Sequence, residues 1–275
     1  MSHPITHMKQ PAAIILTILA WSAAMPLQAA GFTAADAAAL IAKNQAALVE
    51  IHATVAAKPE LIEGPPGIGD LINQQPAKEQ SATCKGVVIR DNGLVAVPLA
   101  AIDPGSLMAE GMEIATPMGK LKLCVKTTIS AVKIVTADGH EYPAEVVLKE
   151  AAAGLALLKI DDPPAAGMPA VALTKDLPLP QPLSQALNMV RLGAEFGSVP
   201  TVSVLRIGSA TPPPTPMYDI ASSLSEPGSV MFDQEGRFIG LAVIPCRGTS
   251  GGVGNMQILI LPQTEIQRLS AKALP

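Results

Sequence analysis

Histidine, cysteine and aromatic residues are scarce in this sequence of 275 residues, and each scarcity limits the chemistry that the protein can perform. It contains four histidines, three cysteines and one tryptophan. Only two histidines, His52 and His140, lie beyond residue 30. No group of cysteines and histidines has the spacing of a zinc site. The composition therefore indicates no metal and no cofactor.

Clustered basic residues are also missing. The formal net charge is −4, and Lys and Arg are scattered rather than gathered in runs. A protein that binds the phosphate backbone of nucleic acid needs clustered positive charge. We therefore expect no nucleic-acid partner.

The first 30 residues have the pattern of a secretory signal peptide. Lys9 is their only formal charge, an apolar run extends from Ala12 to Met25, and small residues follow at Ala29 and Ala30. Basic, apolar and small residues in that order are typical of an export signal. The run is shorter than the roughly 20 residues of a membrane span, although an uncleaved anchor is the alternative. We expect a periplasmic or secreted protein with no membrane span after signal removal.

Beyond the signal, the sequence predicts many short strands and few helices. Thr33 and Asp36 resemble a capping box, which predicts a helix over 34–44. A first strand is predicted over 47–55, and the Pro- and Gly-rich residues 56–80 indicate a long exposed loop. Further strands are predicted over 84–90, 94–97, 129–136, 141–148, 155–160, 187–192, 201–207, 230–232, 238–244 and 257–261, with a closing helix over 264–272.

Strands separated by Gly- and Pro-containing turns predict an all-β protein, either a sandwich or a pair of barrels. Periodicity alone does not choose between the two. The predicted organisation is a signal peptide (1–30), an N-terminal helix with the first strand and loop (31–80), a first barrel (81–165), and a second barrel with the C-terminal helix (166–275).

Four segments resemble trypsin-like serine proteases of the Deg/HtrA type, in the order in which that family carries them. Residues 86–97 resemble its Gly-Val-Ile-Ile hairpin, and residues 133–147 resemble its next hairpin, with an Asp-Gly turn and a Tyr-x-Ala-x-Val-Val return. Residues 228–241 resemble the segment after the catalytic serine, and residues 254–262 resemble the closing strand. The resemblance implies two six-stranded antiparallel β-barrels with a groove between them. The sequence ends at Pro275, so no PDZ domain is expected.

The same resemblance indicates that the catalytic residues are missing. The family's histidine base falls on Ala100, its orienting aspartate falls on Gly154, and its serine nucleophile falls on Pro227. A triad needs all three groups within hydrogen-bond reach. Proline lacks both the hydroxyl and the backbone N–H that would donate to the oxyanion. The resemblance therefore implies a degenerate triad.

The sequence offers other nucleophiles near the implied groove. The serines near the position of the nucleophile are Ser222, Ser223, Ser225 and Ser229. Cys84 lies at the start of the strand near the implied groove. Neither His52 nor His140 falls on the family's base position, so none of these residues has an evident general base.

The implied groove also predicts where a peptide would lie. The resemblance places Val243, Ile244, Pro245 and Gly228 along it as candidate peptide-binding residues, although Pro245 removes one backbone donor. Residues 103–126 are an insertion relative to the family.

Export would expose the three cysteines to an oxidising compartment, where a disulfide can form. We predict the pairing of Cys84 with Cys124 because both fall in the first half of the chain. The alternative is three buried thiols, Cys246 included.

Together these features predict an exported pseudoprotease that binds a peptide or protein partner, or acts as a scaffold, without catalysis. Two alternatives stay open. One is a residual serine-type endopeptidase with a non-standard site, and the other is a purely structural envelope protein.

Overall fold

The computed structural model describes most of the chain beyond residue 31. The described residues are 32–65, 67–117, 119–175, 177, 179–181, 184–191, 199–211, 215–220, 226–246 and 257–273. The chain divides into two compact units, residues 1–37 and residues 38–275. Both β-barrels lie in the second unit. The predicted signal peptide lies outside the described residues.

Helix α1 spans Ala34–Asn44, which confirms the predicted helix. Its N-terminus is a reciprocal capping box. The Asp36 N–H donates to the Thr33 hydroxyl at 3.3 Å, and the Thr33 N–H donates to the Asp36 carboxylate at 2.8 Å. These bonds satisfy donors that have no partner inside the helix. The Thr33 hydroxyl also donates to the Asp36 carboxylate at 2.7 Å, and this bond, together with the bond from the Thr33 N–H, lowers the pKa of the Asp36 carboxyl.

The first barrel is a closed antiparallel sheet in the order β1-β2-β3-β7-β6-β5, with β1 pairing back onto β5 and β4 added outside β5. Its strands are β1 (Leu48–Glu63), β2 (Lys78–Arg90), β3 (Leu94–Pro98), β4 (Met112–Thr116), β5 (Gly119–Val135), β6 (Glu141–Glu150) and β7 (Leu155–Ile160). Two short helices belong to it, α2 (Ile68–Asn73) and α3 (Leu99–Ile102).

Two sequence predictions about this barrel were wrong. Residues 56–80 are not a long loop, because β1 continues to Glu63 and β2 already begins at Lys78. The first barrel therefore starts at Leu48, rather than at residue 81. Pro59 is tolerated in β1 because pairing with β2 ends at Ala57, so Pro59 has a strand neighbour on one side only.

The local turn signals, by contrast, predicted the hairpins correctly. The Asn-Gly turn joins β2 to β3, with Gly93 at φ 83°. The Asp-Gly turn joins β5 to β6, and the Thr136 N–H donates to the His140 carbonyl at 3.0 Å. Strand β7 has the predicted bounds.

The second barrel is closed in the order β10-β13-β12-β11-β8-β9. Its strands are β8 (Gln185–Arg191), β9 (Pro200–Ala210), β10 (Tyr218–Ile220), β11 (Val230–Phe232), β12 (Phe238–Val243) and β13 (Leu259–Pro262), and helix α4 (Gln263–Ala273) follows. The sequence did not indicate β10, which is only three residues long.

The chain thus has the all-β, double-barrel architecture of the chymotrypsin-like fold, with short helices near both ends. Each barrel has its own apolar core. Ile51, Val97 and Leu158 belong to the first core, and Leu205, Met231 and Ile260 belong to the second. Among the described residues, no helix is both long and apolar enough to cross a bilayer.

Candidate functional site at the barrel junction

The base position lies on α3, immediately after β3. Leu99 and Ile102 on this helix are fully buried, which leaves Ala100 on its half-buried side. The Leu99 N–H donates to the carbonyl of Gly154 at 2.8 Å. The positions onto which the resemblance maps the base and the aspartate are therefore neighbours in this structure.

Gly154 has no room for a side chain. Its φ of 63° lies in the left-handed region, which L-residues with a Cβ rarely adopt. A Cβ added there would lie 2.3 Å from the carbonyl oxygen of Ile244 and 2.9 Å from the Cα of Pro245. The backbone of the second barrel therefore occupies the space that an aspartate would need.

Pro227 lies in a turn just before β11. The Ser229 N–H donates to the Glu226 carbonyl at 3.1 Å, and the Glu226 N–H donates to the Ser229 hydroxyl at 3.3 Å. Ser229 itself is fully buried. Glu226 and Ser229 thus bond each other within the turn. Pro227, which lies between them, has neither a hydroxyl nor a backbone N–H.

The turn also contacts the first barrel. Gly228 has a φ of 90°, and a Cβ there would lie 2.4 Å from the carbonyl oxygen of Lys85. The Lys85 ammonium forms an ion pair with the Glu226 carboxylate at 2.5 Å. Both contacts join β2 of the first barrel to the turn that would carry the nucleophile.

Cys246 makes further contacts between the two barrels. The Cys246 N–H donates to the Ala151 carbonyl at 2.9 Å, and the Cys246 thiol lies 3.2 Å from the Ser106 hydroxyl. We use the name junction for residues 151–154, 226–229 and 244–246 together with Lys85. Gly154 and Pro227 lie in the junction, and Ala100 lies beside it.

The predicted peptide-groove residues lie in this closed interface. Val243 is fully buried in β12, and Gly228 packs on Lys85. The carbonyl of Ile244 faces Gly154, while Pro245 has no N–H to donate. Because the next donor along this edge, the Cys246 N–H, is already used, an extended peptide would have to separate the barrels to pair here.

The predicted disulfide between Cys84 and Cys124 is not formed, and the strand register explains why. All three cysteines are free thiols. Cys84 lies opposite Ile51 of β1, whereas Cys124 lies opposite Glu60. Nine residues of strand correspond to about 30 Å, and a disulfide requires Cα atoms about 4.4–6.8 Å apart.

The thiols are poor nucleophiles in this setting. The Cys84 side chain packs against the first core, and its burial, with a further contribution from the Glu50 carboxylate, raises the pKa of the thiol to about 12. Burial likewise raises the pKa of the Cys246 thiol. Since the thiolate is the reactive form, neither sulfur is activated at neutral pH.

The two histidines have carboxylate partners. The ring of His52 lies 2.6 Å from the Glu50 carboxylate, and the ring of His140 lies 3.0 Å from the Asp138 carboxylate. Neither ring has a hydrogen bond to a hydroxyl or a thiol of the described residues. Ser222, Ser223 and Ser225 lie outside the described part of the chain.

No metal-binding geometry is found within the described ranges, where no three His, Cys, Asp or Glu side chains are grouped closely enough to hold an ion. The chain matches no known family model and no curated protein. The likeness to Deg/HtrA proteases therefore depends on the local motifs and on the double-barrel architecture.

Sequence reasoning missed the closure of the junction. The contacts of Gly154 with Ile244 and of Gly228 with Lys85 join residues that are far apart in the chain. The only local signal was a glycine at each point of close approach. No motif identified the ion pair between Lys85 and Glu226.

Proposed function

We propose that this protein is an exported, catalytically inactive relative of the Deg/HtrA proteases, which acts as a scaffold that binds other proteins. One observation carries the proposal. The three positions onto which the resemblance maps the triad hold Ala100, Gly154 and Pro227, and each lies in or beside the residues that join the two barrels. The proposed export depends on the sequence of the first 30 residues.

The chemistry of acyl transfer explains why these three replacements are decisive. Without a base and a hydroxyl, no activated nucleophile can attack a peptide carbonyl. The missing N–H of Pro227 removes an oxyanion donor, and the loss of one such donor costs about 2.7–4 kcal/mol of transition-state stabilisation. No side chain at Gly154 can restore the orientation of a base, because the second barrel fills that space.

The neighbouring groups support the same proposal. Ser229, the nearest described serine, is fully buried, and its hydroxyl already accepts a hydrogen bond from the Glu226 N–H. The thiol of Cys84 stays protonated at neutral pH because burial raises its pKa. These observations favour a binding protein over a residual endopeptidase.

A binding role follows from what the chain keeps. Each barrel has an apolar core, and among the described residues the junction between them is closed by backbone contacts and the ion pair of Lys85 with Glu226. A double barrel of this kind can present strands and loops to a partner in a fixed arrangement without an open catalytic cleft. A purely architectural protein of the envelope could have the same fold, but it would not need a binding site for a partner.

Hydrolysis of fluorescent casein by the purified mature protein tests this proposal. We expect no hydrolysis above the buffer rate, and no change on titration with a serine-protease inhibitor. The Ser229→Ala variant is the matched control, because Ser229 is the nearest described hydroxyl. Hydrolysis that the inhibitor abolishes and that Ser229→Ala removes would overturn the proposal.

A further inference from the structure

One side-chain amide is buried inside the second barrel without a complete set of hydrogen bonds. Asn188 lies in β8 and is only 2% exposed. Among the described residues, its Oδ1 is the one buried side-chain nitrogen or oxygen for which no hydrogen-bond partner is found. Buried polar groups are nearly always hydrogen-bonded, because burial removes their bonds to solvent. The unpaired oxygen therefore indicates a donor other than the described groups of the protein.

The strand register places Asn188 on the inner face of the barrel. Asn188 pairs with Ser203 of β9 and with Met231 of β11. Two residues earlier in β8, Ala186 pairs with Leu205, and both belong to the second core. Because side chains alternate between the two faces of a strand, Asn188 and Ser203 lie on the same inner face. Met231, which is also a core residue, gives the same orientation from the other side.

Ser203 bonds only one end of the Asn188 amide. The Asn188 Nδ2 donates to the Ser203 hydroxyl at 3.4 Å. The two ends of a planar amide diverge, so the Oδ1 is directed away from Ser203. Rotating the amide by 180° would exchange its ends and leave the Nδ2 unpaired instead. For the proton of the Ser203 hydroxyl, no acceptor is found among the described residues.

Ser229 brings a second hydroxyl to the same face. Residues 226–229 form a turn with Gly228 at φ 90°, and the bond from the Ser229 N–H to the Glu226 carbonyl closes it. The Gly228 N–H donates to the Ala242 carbonyl at 2.8 Å, and the Ala242 N–H donates to the Ser229 carbonyl at 2.9 Å. This pattern is a β-bulge at a left-handed glycine, which places Ser229 opposite Ala242. Since Ala242 belongs to the second core, the fully buried Ser229 side chain is directed into the barrel.

The Ser229 hydroxyl also keeps an unused proton. It accepts the Glu226 N–H at 3.3 Å, and no acceptor for its own proton is found in the described part of the chain. Ser229 precedes Met231 by two positions, so it is the diagonal neighbour of Asn188 across β11 and β8. Diagonal neighbours are about 7–8 Å apart. One molecule bonded to both side chains can join oxygens about 5.5 Å apart, because each O–H···O bond measures about 2.7–2.8 Å.

The groups around this point define what can bind there. Ala186, Ser203, Ser229 and Ala242 are all small, which leaves room beside the Asn188 amide. The amide offers one unpaired acceptor, and the two hydroxyls offer two unpaired donors. None of these groups is charged, so a buried ion would lack the charged partner that it needs. A small neutral molecule that both donates and accepts hydrogen bonds matches the set.

We propose that Asn188, Ser203 and Ser229 form an internal site that binds one water molecule inside the second barrel. The water donates to the Asn188 Oδ1 and accepts a hydrogen bond from each serine hydroxyl. About three hydrogen bonds to otherwise unpaired groups are typical of a buried water. The near-complete burial of Asn188 and Ser229 limits the occupant to a molecule of this size.

The site connects the turn that carries Pro227 to the wall of the barrel. Ser229 lies in that turn, whereas Asn188 lies in β8 and Ser203 lies in β9. One water thus bridges three separate stretches of backbone, and the proton of the Ser229 hydroxyl is used in a structural bond. This inference concerns the interior of the second barrel and does not depend on the scaffold role proposed above.

A crystal structure of the mature protein, at a resolution that shows ordered water, tests the site directly. We expect one peak of solvent density about 2.7–3.2 Å from the free end of the Asn188 amide. The same peak should lie within bonding distance of the Ser203 or the Ser229 hydroxyl. A protein group bonded to that end of the amide, a larger molecule in its place, or no density at this distance would overturn the proposal.

Water oxygen-17 relaxation dispersion counts the long-lived internal waters in solution. Asn188→Leu keeps the approximate size of the side chain and removes the amide, so we expect one long-lived water fewer than in the parent. Asn44→Leu is the matched control, because Asn44 is also buried but its Nδ2 is bonded to the Leu40 carbonyl. We expect this control to leave the count unchanged.

An equal count in the parent and in folded Asn188→Leu would contradict the site. If Asn188→Leu does not fold, the crystal structure of the parent decides the proposal alone. The casein assay is independent of both measurements, so a failure here does not alter the test of catalytic inactivity.

Discussion

The junction between the barrels and the turn of the β5–β6 hairpin differ in how closely the backbone around a left-handed glycine is packed. At the junction, the Ile244 carbonyl packs against Gly154, and the Cys246 N–H is bonded to the carbonyl of Ala151. At the hairpin turn, Gly139 has a φ of 85°, and nothing lies within 4 Å of its added Cβ. A left-handed glycine is thus confined by the second barrel at the junction and is open to solvent at the hairpin turn.

The largest expected effect comes from adding a side chain at the closed junction. Gly154→Ala should lower the free energy of unfolding by about 2–5 kcal/mol, because a left-handed residue with a Cβ costs about 1–2 kcal/mol and overpacking adds about 1–3 kcal/mol. Gly139→Ala is the matched control, since Gly139 has a φ of 85° and nothing within 4 Å of its added Cβ. It should cost only the conformational part, about 1–2 kcal/mol.

Urea unfolding of the two variants and the parent measures this difference. If the two glycine variants lower the free energy of unfolding equally, the backbone of the second barrel does not pack closely against Gly154. The junction would then not be closed in solution.

This contrast also shows how far the sequence could be interpreted. The Asn-Gly and Asp-Gly hairpins were predictable because their turn chemistry is local. The apolar run of β7 was predictable for the same reason. The extension of β1 to Glu63 was not, because its pairing with β5 comes from residues more than 50 positions away.

The same limit applies to the candidate sites. The replacement of the triad by Ala100, Gly154 and Pro227 was inferred from local motifs, and it stays a prediction. The close packing at Gly154 depends on Ile244, which follows β12 of the second barrel. It is not a property of one segment, so it could not be predicted from motif or periodicity.

We expect an effect of intermediate size on the free energy of unfolding when the Cys84 thiol titrates at alkaline pH. Its folded-state pKa is about 12, against an ordinary value of 9.0, so the folded protein keeps a proton that the unfolded chain releases. The stability that this thiol contributes is complete below pH 9 and is lost as the pH rises from about 9 to about 12. The difference is about 1–2 kcal/mol between pH 8 and pH 10.5, because one pH unit corresponds to about 1.4 kcal/mol.

Free energies of unfolding at the two pH values check this prediction. Cys84→Ala should lose less stability over the interval than the parent. An identical pH dependence in the two proteins would place Cys84 in solvent rather than against the first core.

The smallest expected effect comes from the ion pair across the junction. Lys85→Met should cost about 0.5–1 kcal/mol, because Lys85 is only 22% exposed but its partner Glu226 is 50% exposed. Lys133→Met is the control, since its pair with Glu141 joins adjacent strands of one hairpin and both partners are more than half exposed. It should change stability by less than about 0.5 kcal/mol.

Unfolding in low salt and in 0.5 M NaCl separates the two pairs. We expect the cost of Lys85→Met to decrease in high salt, because screening weakens partly exposed charges. A larger effect from Lys133 than from Lys85 would indicate that the ion pair does not hold the barrels together.

The central proposal is that this double-barrel protein is catalytically inactive, since the described residues include no activated serine or cysteine. The most direct measurement is the intact mass of the folded, mature protein after incubation with a fluorophosphonate probe, beside an active trypsin-like protease as the positive control. The account predicts the unmodified mass for this protein and a single adduct for the control. A stoichiometric adduct on the folded protein that disappears on heat denaturation would contradict it.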